Sequence, residues 1–302
     1  MIQYLKQADI DKIKWDLCIG QSLNSMVYGY SWYLNMVAPN WEGLVLNDYE
    51  AVMPLTCNRK LFINYLYQPF FTQQLGVFYK SGIAQQLVID FVNAIPQKFK
   101  FIDINLNEAN EFLPETIAIK KRKNYILNLS EPHHILHKEY DEHCKRNIKK
   151  AKRLPQTIKP VDAALAVAFY QKYKGEKTDN VTPTDYQHLL DVLLLAEQKS
   201  LLLPRGIYNA QQELVAVGVF IIHQGRIIYL LGCSSPKGRE SRAMYLLFDD
   251  VILHFSNNPM VLDFEGSELS GIARFFKGFG AVKKPYYKLY VNRLPWFMKW
   301  LK

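Results

Sequence analysis

Residues equipped for chemistry gather in the last third of the chain. Asp263-Phe264-Glu265-Gly266 closes a short apolar run. Gly271-Ile272-Ala273-Arg274-Phe275-Phe276-Lys277-Gly278-Phe279-Gly280 follows with helical spacing. The order reads strand, turn, helix, and Gly266 lets the backbone of the turn approach another molecule closely. An ammonium set among Phe275, Phe276 and Phe279 keeps its stem packed while its head reaches a cleft. Lys277 is therefore the residue expected to face developing negative charge on a reacting oxygen, with Phe276 beside the substrate; a solvated helix lysine is the plain alternative. A second group is the basic stretch over residues 234–243, where Lys237, Arg239 and Arg242 can meet an anion. A third is the segment 64–76, in which Tyr65, Tyr67, Gln73 and Gln74 crowd a loop held irregular by Pro69 and Gly76. Such a loop grips a polar ligand or serves only as a hydrogen-bonded structural element. His133, His134, His137 and His143 share a helical stretch, but no Cys or carboxylate set with metal spacing accompanies them, so no metal is expected.

The strand-turn-helix pattern, Asp-Phe-Glu-Gly and then Gly-Ile-x-x-Phe-x-Lys-x-Phe-Gly, resembles the C-terminal pattern of Fem-type peptidyltransferases and their FemAB-like relatives. A second cue is Arg146-Asn147-Ile148-Lys149-Lys150-Ala151-Lys152, which looks like the basic helix opening the second domain in that family. The two cues bracket residues from about 125 to 290. The resemblance implies two tandem GNAT-like domains and an N-acyltransferase that moves an aminoacyl group, delivered by aminoacyl-tRNA, to an amine of a peptide-like or cell-wall (peptidoglycan) precursor. It also implies that the donor is a co-substrate, with no bound cofactor. Two other functions stay open: an acyl-CoA-dependent N-acetyltransferase, and a non-catalytic double-GNAT module that binds RNA or a nucleotide-linked ligand. Acyl-CoA-dependent GNAT enzymes carry Arg/Gln-x-x-Gly-x-Gly/Ala where this chain has residues 235–240, and here Ser235 and Glu240 depart from it. The loop keeps Lys237, Arg239 and Arg242, which with Arg146 form the expected donor-phosphate contacts.

Charge bears on the donor. The chain of 302 residues has a formal net charge of +9, and residues 269–302 hold eight Lys or Arg and no Asp or Glu. The runs 120–123 and 145–153 are also basic and acid-free. Such patches attract polyanions by releasing counterions, which suits tRNA, a nucleotide diphosphate or a pyrophosphate-bearing donor, and equally describes a solvated basic face. With 49% apolar and 22% charged residues the composition is that of a globular protein rather than a disordered one. No apolar run reaches membrane-spanning length and the first residues lack the features of a secretory signal, so a cytoplasmic location is expected. Cys18, Cys57, Cys144 and Cys233 are far apart, which fits reduced structural cysteines.

The elements that must position these residues follow an α+β plan with mixed sheets. Helices are expected over 9–19, 25–37 and 83–91, with strands over 44–46, 49–55, 101–106, 117–119 and 125–129. One long helix capped by Ser130 then carries the basic run. Pro155 and Pro160 mark a boundary, giving domains 1–154 and 155–302, the last ten or so residues returning to pack on the first. The second half reads as two helices, the later one opened by a Thr182/Asp185 capping box with Pro183 at its first position. Three antiparallel strands, a helix, a strand, a helix and a final strand over 286–291 follow. The polar loop 174–180 between the two helices has the composition of a lid.

Overall fold

The structure, a computed structural model, describes residues 1–80, 85–111, 119–175, 181–266 and 268–295. Contacts divide the chain into two compact units, Met1–Arg122 with Pro285–Lys302, and Lys123–Lys284.

The first unit runs β1 (Ile2–Leu5), α1 (Lys12–Gln21), α2 (Ser31–Val37), β2 (Glu42–Leu46), β3 (Ala51–Leu55), β4 (Cys57–Lys60), β5 (Ile63–Tyr67), β6 (Phe78–Tyr79), α3 (Gln85–Asn93), β7 (Phe99–Leu106) and β8 (Ile119–Arg122). Asp11 caps α1 by accepting from the N–H groups of Ile13 and Lys14. The helix expected from residue 25 begins only at Ser31, after a single 3-10 turn over Val27–Gly29. Gly29 packs there so closely that a Cβ would stand 2.9 Å from both Ile19 and Phe78. Strands β1, β2, β3 and β6 form one sheet, and the buried rings of Trp15 and Trp41 meet in a tilted contact with centroids 4.8 Å apart. Leu66, Phe91, Phe99, Ile102, Ile104 and Leu106 belong to the unit's apolar core.

The second unit runs β9 (Tyr125–Asn128), α4 (His133–Leu136), α5 (Glu142–Lys152), β10 (Thr157–Pro160), α6 (Ala163–Lys174), α7 (Pro183–Gln198), β11 (Leu202–Tyr208), β12 (Leu214–His223), β13 (Arg226–Ser234), α8 (Pro236–Glu240), α9 (Ala243–Phe255), β14 (Val261–Asp263), α10 (Ser270–Lys277) and β15 (Val282–Lys283). Its sheet has the order β10-β11-β12-β13-β14-β9-β15, antiparallel except for the β13–β14 pair. The expected Thr182/Asp185 capping box is formed. The chain then re-enters the first unit as β16 (Tyr286–Asn292), which pairs with β7 on one side and β8 on the other.

This tracing moves the domain boundary away from 154/155. The strand over 125–128, expected in the first half, lies between β14 and β15 because Leu127 and Leu129 belong to the same buried cluster as Leu262, Phe264 and Phe276. The final strand leaves the second unit because Leu289 is buried in the first unit's core. Pro160 marks no boundary: it sits in edge strand β10, where a missing N–H is tolerated. The return expected of the last ten or so residues falls mostly on residues 296–302, which lie outside the described residues. The single helix expected from Ser130 is broken into α4 and α5, with Asp141 capping the second by accepting from Cys144 N–H. Among the described residues no helix is long and apolar enough to cross a membrane.

Candidate active site

The site starts from a defect in a β-ladder. Val219 pairs with Leu231 and Phe220 with Tyr229, so Leu230 is the extra residue of a bulge in β13. A bulge bends its strand and sharpens its twist. Parallel pairing with β14 covers only Arg226–Ile228 against Val261–Asp263, and stops one residue before Tyr229. Beyond that point β13 and the chain after β14 part. Tyr229 through Ser234 form one wall of a cavity of about 750 Å³, and Phe264, Glu265 and Gly266 lie on the other. Ile272, Phe275 and Phe276 of α10 and Met244 and Tyr245 of α9 add apolar surface, and Tyr170, Tyr173 and Lys174 come from α6. The aromatic floor is tightly knit: Phe264 lies 4.8 Å from Phe276 and 5.2 Å from Phe248, and Tyr229 lies 4.8 Å from Phe248. Offset aromatic pairs of this kind add about 0.5–1.5 kcal/mol each beyond burial, which favours a rigid wall.

Glu265 is the carboxyl group of this cavity, and the end of β14 dictates its position. Asp263 is buried and accepts from Asn124 Nδ2 at 3.0 Å, from Glu265 N–H at 2.9 Å and from the Arg226 guanidinium. These bonds turn the chain sharply, so that Glu265 has φ +56° and Gly266 φ +58°. Gly266 is required: a Cβ there would lie 2.1 Å from the carbonyl oxygen of Lys123. Glutamate is an unfavourable residue for the left-handed region, and such outliers collect at functional sites. Desolvation holds the Glu265 carboxyl well above the usual carboxylate range. Its raised value makes it a candidate for proton exchange with a substrate.

The lining is also cationic, with Lys174, Arg239 and Arg242 in it. Arg239 Nη1 donates to Ser234 O at 3.0 Å, Arg242 Nη1 donates to Arg239 O at 3.2 Å, and Arg242 Nε is buried without a hydrogen-bond partner among the described residues. The stretch read as a loop is partly the helix α8, and its N-terminus has little left for a phosphate. Pro236 has no N–H, and the N–H of Gly238 is taken by Ser235 Oγ at 3.2 Å. Cys233 also lines the cavity, but burial pushes its thiol up to about 12, so it stays protonated rather than nucleophilic.

Of the residues singled out in the sequence, the cavity brings together Phe276, Arg239 and Arg242. Lys277 is exposed on α10, its Nζ 5.8 Å from the centroid of the Tyr125 ring, and it is not in the lining. Lys237 is exposed and paired with Glu213 at 2.6 Å, and Arg146 is exposed on α5. In the first unit Tyr65 and Tyr67 are half-buried on β5, not in a loop, with ring centroids 6.0 Å apart. Gln73 is also half-buried, whereas Gln74 is 0% exposed, donating to Gln73 Oε1 and accepting from Glu108 N–H, so it serves the fold. His133 Nε2 lies 2.9 Å from Oδ1 of buried Asp249, which also meets Lys152 at 2.7 Å. Among the described residues no group of three or more His, Cys, Asp or Glu side chains is placed to hold a metal ion. Residues 176–180 of the lid-like loop lie outside the described residues.

Sequence reading missed Glu265, although it stood inside the motif. A carboxylate between a buried aromatic and a glycine at a strand end was the available signal.

No family model matches the sequence, and no curated protein matches it. Solved structures do match. FemX is similar over 96% of this chain and 98% of its own, with a TM-score of 0.70 at 11% identity. L-PGS from Bacillus licheniformis covers 96% and 95% at 0.58 and 11%, and a tandem GNAT protein from the clavulanic acid biosynthesis pathway covers 98% and 99% at 0.53 and 8%. By this likeness to FemX and to the tandem GNAT protein, the chain has an α+β double GNAT-like fold.

Proposed function

We propose that the protein is an N-acyltransferase that takes an aminoacyl group from aminoacyl-tRNA and joins it to an amine of a peptide-like, cell-wall-precursor substrate in the cytoplasm. One observation carries this reading: the bulged, splayed end of β13 and β14 opens a cavity onto Glu265. Fold likeness to FemX, and to the C-terminal domain of a putative lysylphosphatidylglycerol synthetase from Agrobacterium fabrum, supports it at the level of architecture. In the proposed reaction the acceptor amine attacks the ester carbonyl, a C–N bond forms, and the C–O bond to the ribose breaks. Glu265 takes a proton from the attacking nitrogen and returns one to the departing ribose oxygen. Main-chain N–H groups on the open edge of β13, from Leu230 to Cys233, stabilise the oxyanion. Lys277 stands outside this cavity and is a weaker choice for that role.

The donor follows from the cations in the lining. A CoA pyrophosphate needs free N–H groups at a helix start, and α8 offers few. Arg239, Arg242 and Lys174 suit the phosphates of an acceptor stem instead, and the basic face of α5 with Arg146, Lys149 and Lys150 adds charge. Melting with a non-hydrolysable aminoacyl-tRNA analogue, or with CoA, tests the donor. A ligand present at a hundred times its Kd adds about 2.7 kcal/mol of stability. The analogue should raise Tm and CoA should not; the reverse would make the protein an acyl-CoA enzyme, and no shift from either would remove the donor assignment.

A further inference from the structure

The hairpin between β4 and β5 carries a feature the reaction does not use. Lys60 pairs with Ile63, so Leu61 and Phe62 are the two central residues of the turn, with φ +47° and +63°. A two-residue turn with both φ positive is the type I′ hairpin turn, which Asn-Gly fills with least strain. Here it holds two bulky apolar residues, an arrangement that costs stability. Burial in the core does not repay that cost: Leu61 is 63% exposed and Phe62 87% exposed.

The charged residues of the hairpin itself are all cationic. Arg59 and Lys60 are exposed, and the Arg59 guanidinium lies 5.4 Å from the Phe62 ring centroid. Residues 51–89 contain no Asp or Glu. On the neighbouring strand, exposed Lys100 follows Phe99, the register partner of Asn64, and exposed Arg293 donates its N–H to Lys100 O at 2.7 Å. The nearby carboxylates are already engaged, Glu42 with Lys98 at 3.0 Å and Asp103 with Lys288 at 2.6 Å.

We propose that the Leu61–Phe62 tip and its collar of Arg59, Lys60, Lys100 and Arg293 dock the first unit on an anionic lipid bilayer. The two apolar side chains enter the interface and the cations meet the headgroups, so the protein lies on the membrane without crossing it. This inference is independent of the donor and acceptor assigned above.

Sedimentation of the full-length protein with vesicles tests it. Wild-type protein should bind vesicles of phosphatidylglycerol and phosphatidylcholine at low salt, bind pure phosphatidylcholine much less, and release as salt rises. Replacing Leu61→Asn together with Phe62→Gly installs the favoured turn, so Tm should hold or rise while vesicle binding falls at least tenfold, since each buried apolar side chain of this size is worth roughly tenfold or more. Arg59→Gln with Lys60→Gln should lower binding to anionic vesicles by about twenty-five-fold, roughly fivefold per charge. Phe62→Ser is the control should the double turn variant fail to fold. Absence of binding to anionic vesicles by wild type, or binding by the turn and serine variants within twofold of wild type, would overturn the proposal.

Discussion

Replacing Glu265→Gln tests the chemistry with little disturbance of shape. Glutamine has the same size, suffers the same penalty at φ +56°, and leaves the Asp263 bonds to Asn124 and to the residue-265 N–H intact. What it loses is the ability to take a proton. A positioned base contributes about 10²–10⁴ in rate, or roughly 3–5 kcal/mol of barrier, and the loss should fall in the lower half of that range because an amine attacking an activated ester needs less help than water would. Two pH signatures follow from the raised carboxyl of Glu265. Wild-type activity should rise with pH as Glu265 ionises, and the variant should lack that limb. Stability moves the other way. Between the ordinary carboxylate value and the raised one, the native state holds a proton that the unfolded chain has released, so wild-type stability falls as pH rises through this window. The variant has no such proton, and its Tm should gain on wild type from about pH 4.5 upward. Single-turnover transfer and thermal melts over the same pH series measure both. A rate within threefold of wild type, with the same pH limb, would refute Glu265 as the proton acceptor.

Gly266→Ala places a Cβ 2.1 Å from the Lys123 carbonyl oxygen at φ +58°, and should destabilise by about 2–4 kcal/mol, seen as a Tm drop; an unchanged Tm would contradict the geometry. Lys277→Met should leave transfer within a few fold, because the ammonium lies outside the cavity lining, whereas a hundredfold loss would restore the lysine as the oxyanion partner. Burial holds His223 neutral with its value lowered to about 4, so it contributes stability that is lost as pH falls from about 6.5 through 4. In His223→Gln that part of the acid sensitivity should vanish from melts taken at pH 7 and pH 4.5.

Much of the second unit was legible because its signals are local. The Thr182/Asp185 capping box, the alternation over 202–234 and the strand-turn-helix at 262–277 each announce themselves within a few residues. What was hidden depends on partners distant in sequence. Nothing near residue 125 shows that β9 will pair with β14, 139 residues away at the Asn124–Asp263 contact, or that β16 will cross back to β7. The split of α4 from α5 escaped notice because a helical stripe persists through the break, although Asp141 was available as a cap. In the site, the motif pointed to the turn that lines the cavity and to Lys277, which lies outside the lining. Lys277 has the conspicuous side chain, but the direction of a side chain follows from helix phase. Its neighbour Phe276 faces inward and Lys277 does not. Glu265 owes its place to a positive φ set by Asp263, which residue types alone do not display.

The most direct test of the proposed reaction is transfer itself. Purified protein is incubated with an aminoacylated tRNA acceptor-stem helix or with acetyl-CoA, in the presence of a muropeptide bearing a free amine, and the acceptor is weighed by mass spectrometry. The reading above predicts an acceptor heavier by one amino-acid residue with the aminoacyl donor, no acetylated product, and loss of the new species in Glu265→Gln. An acetylated acceptor, or an unmodified acceptor with both donors, would contradict it.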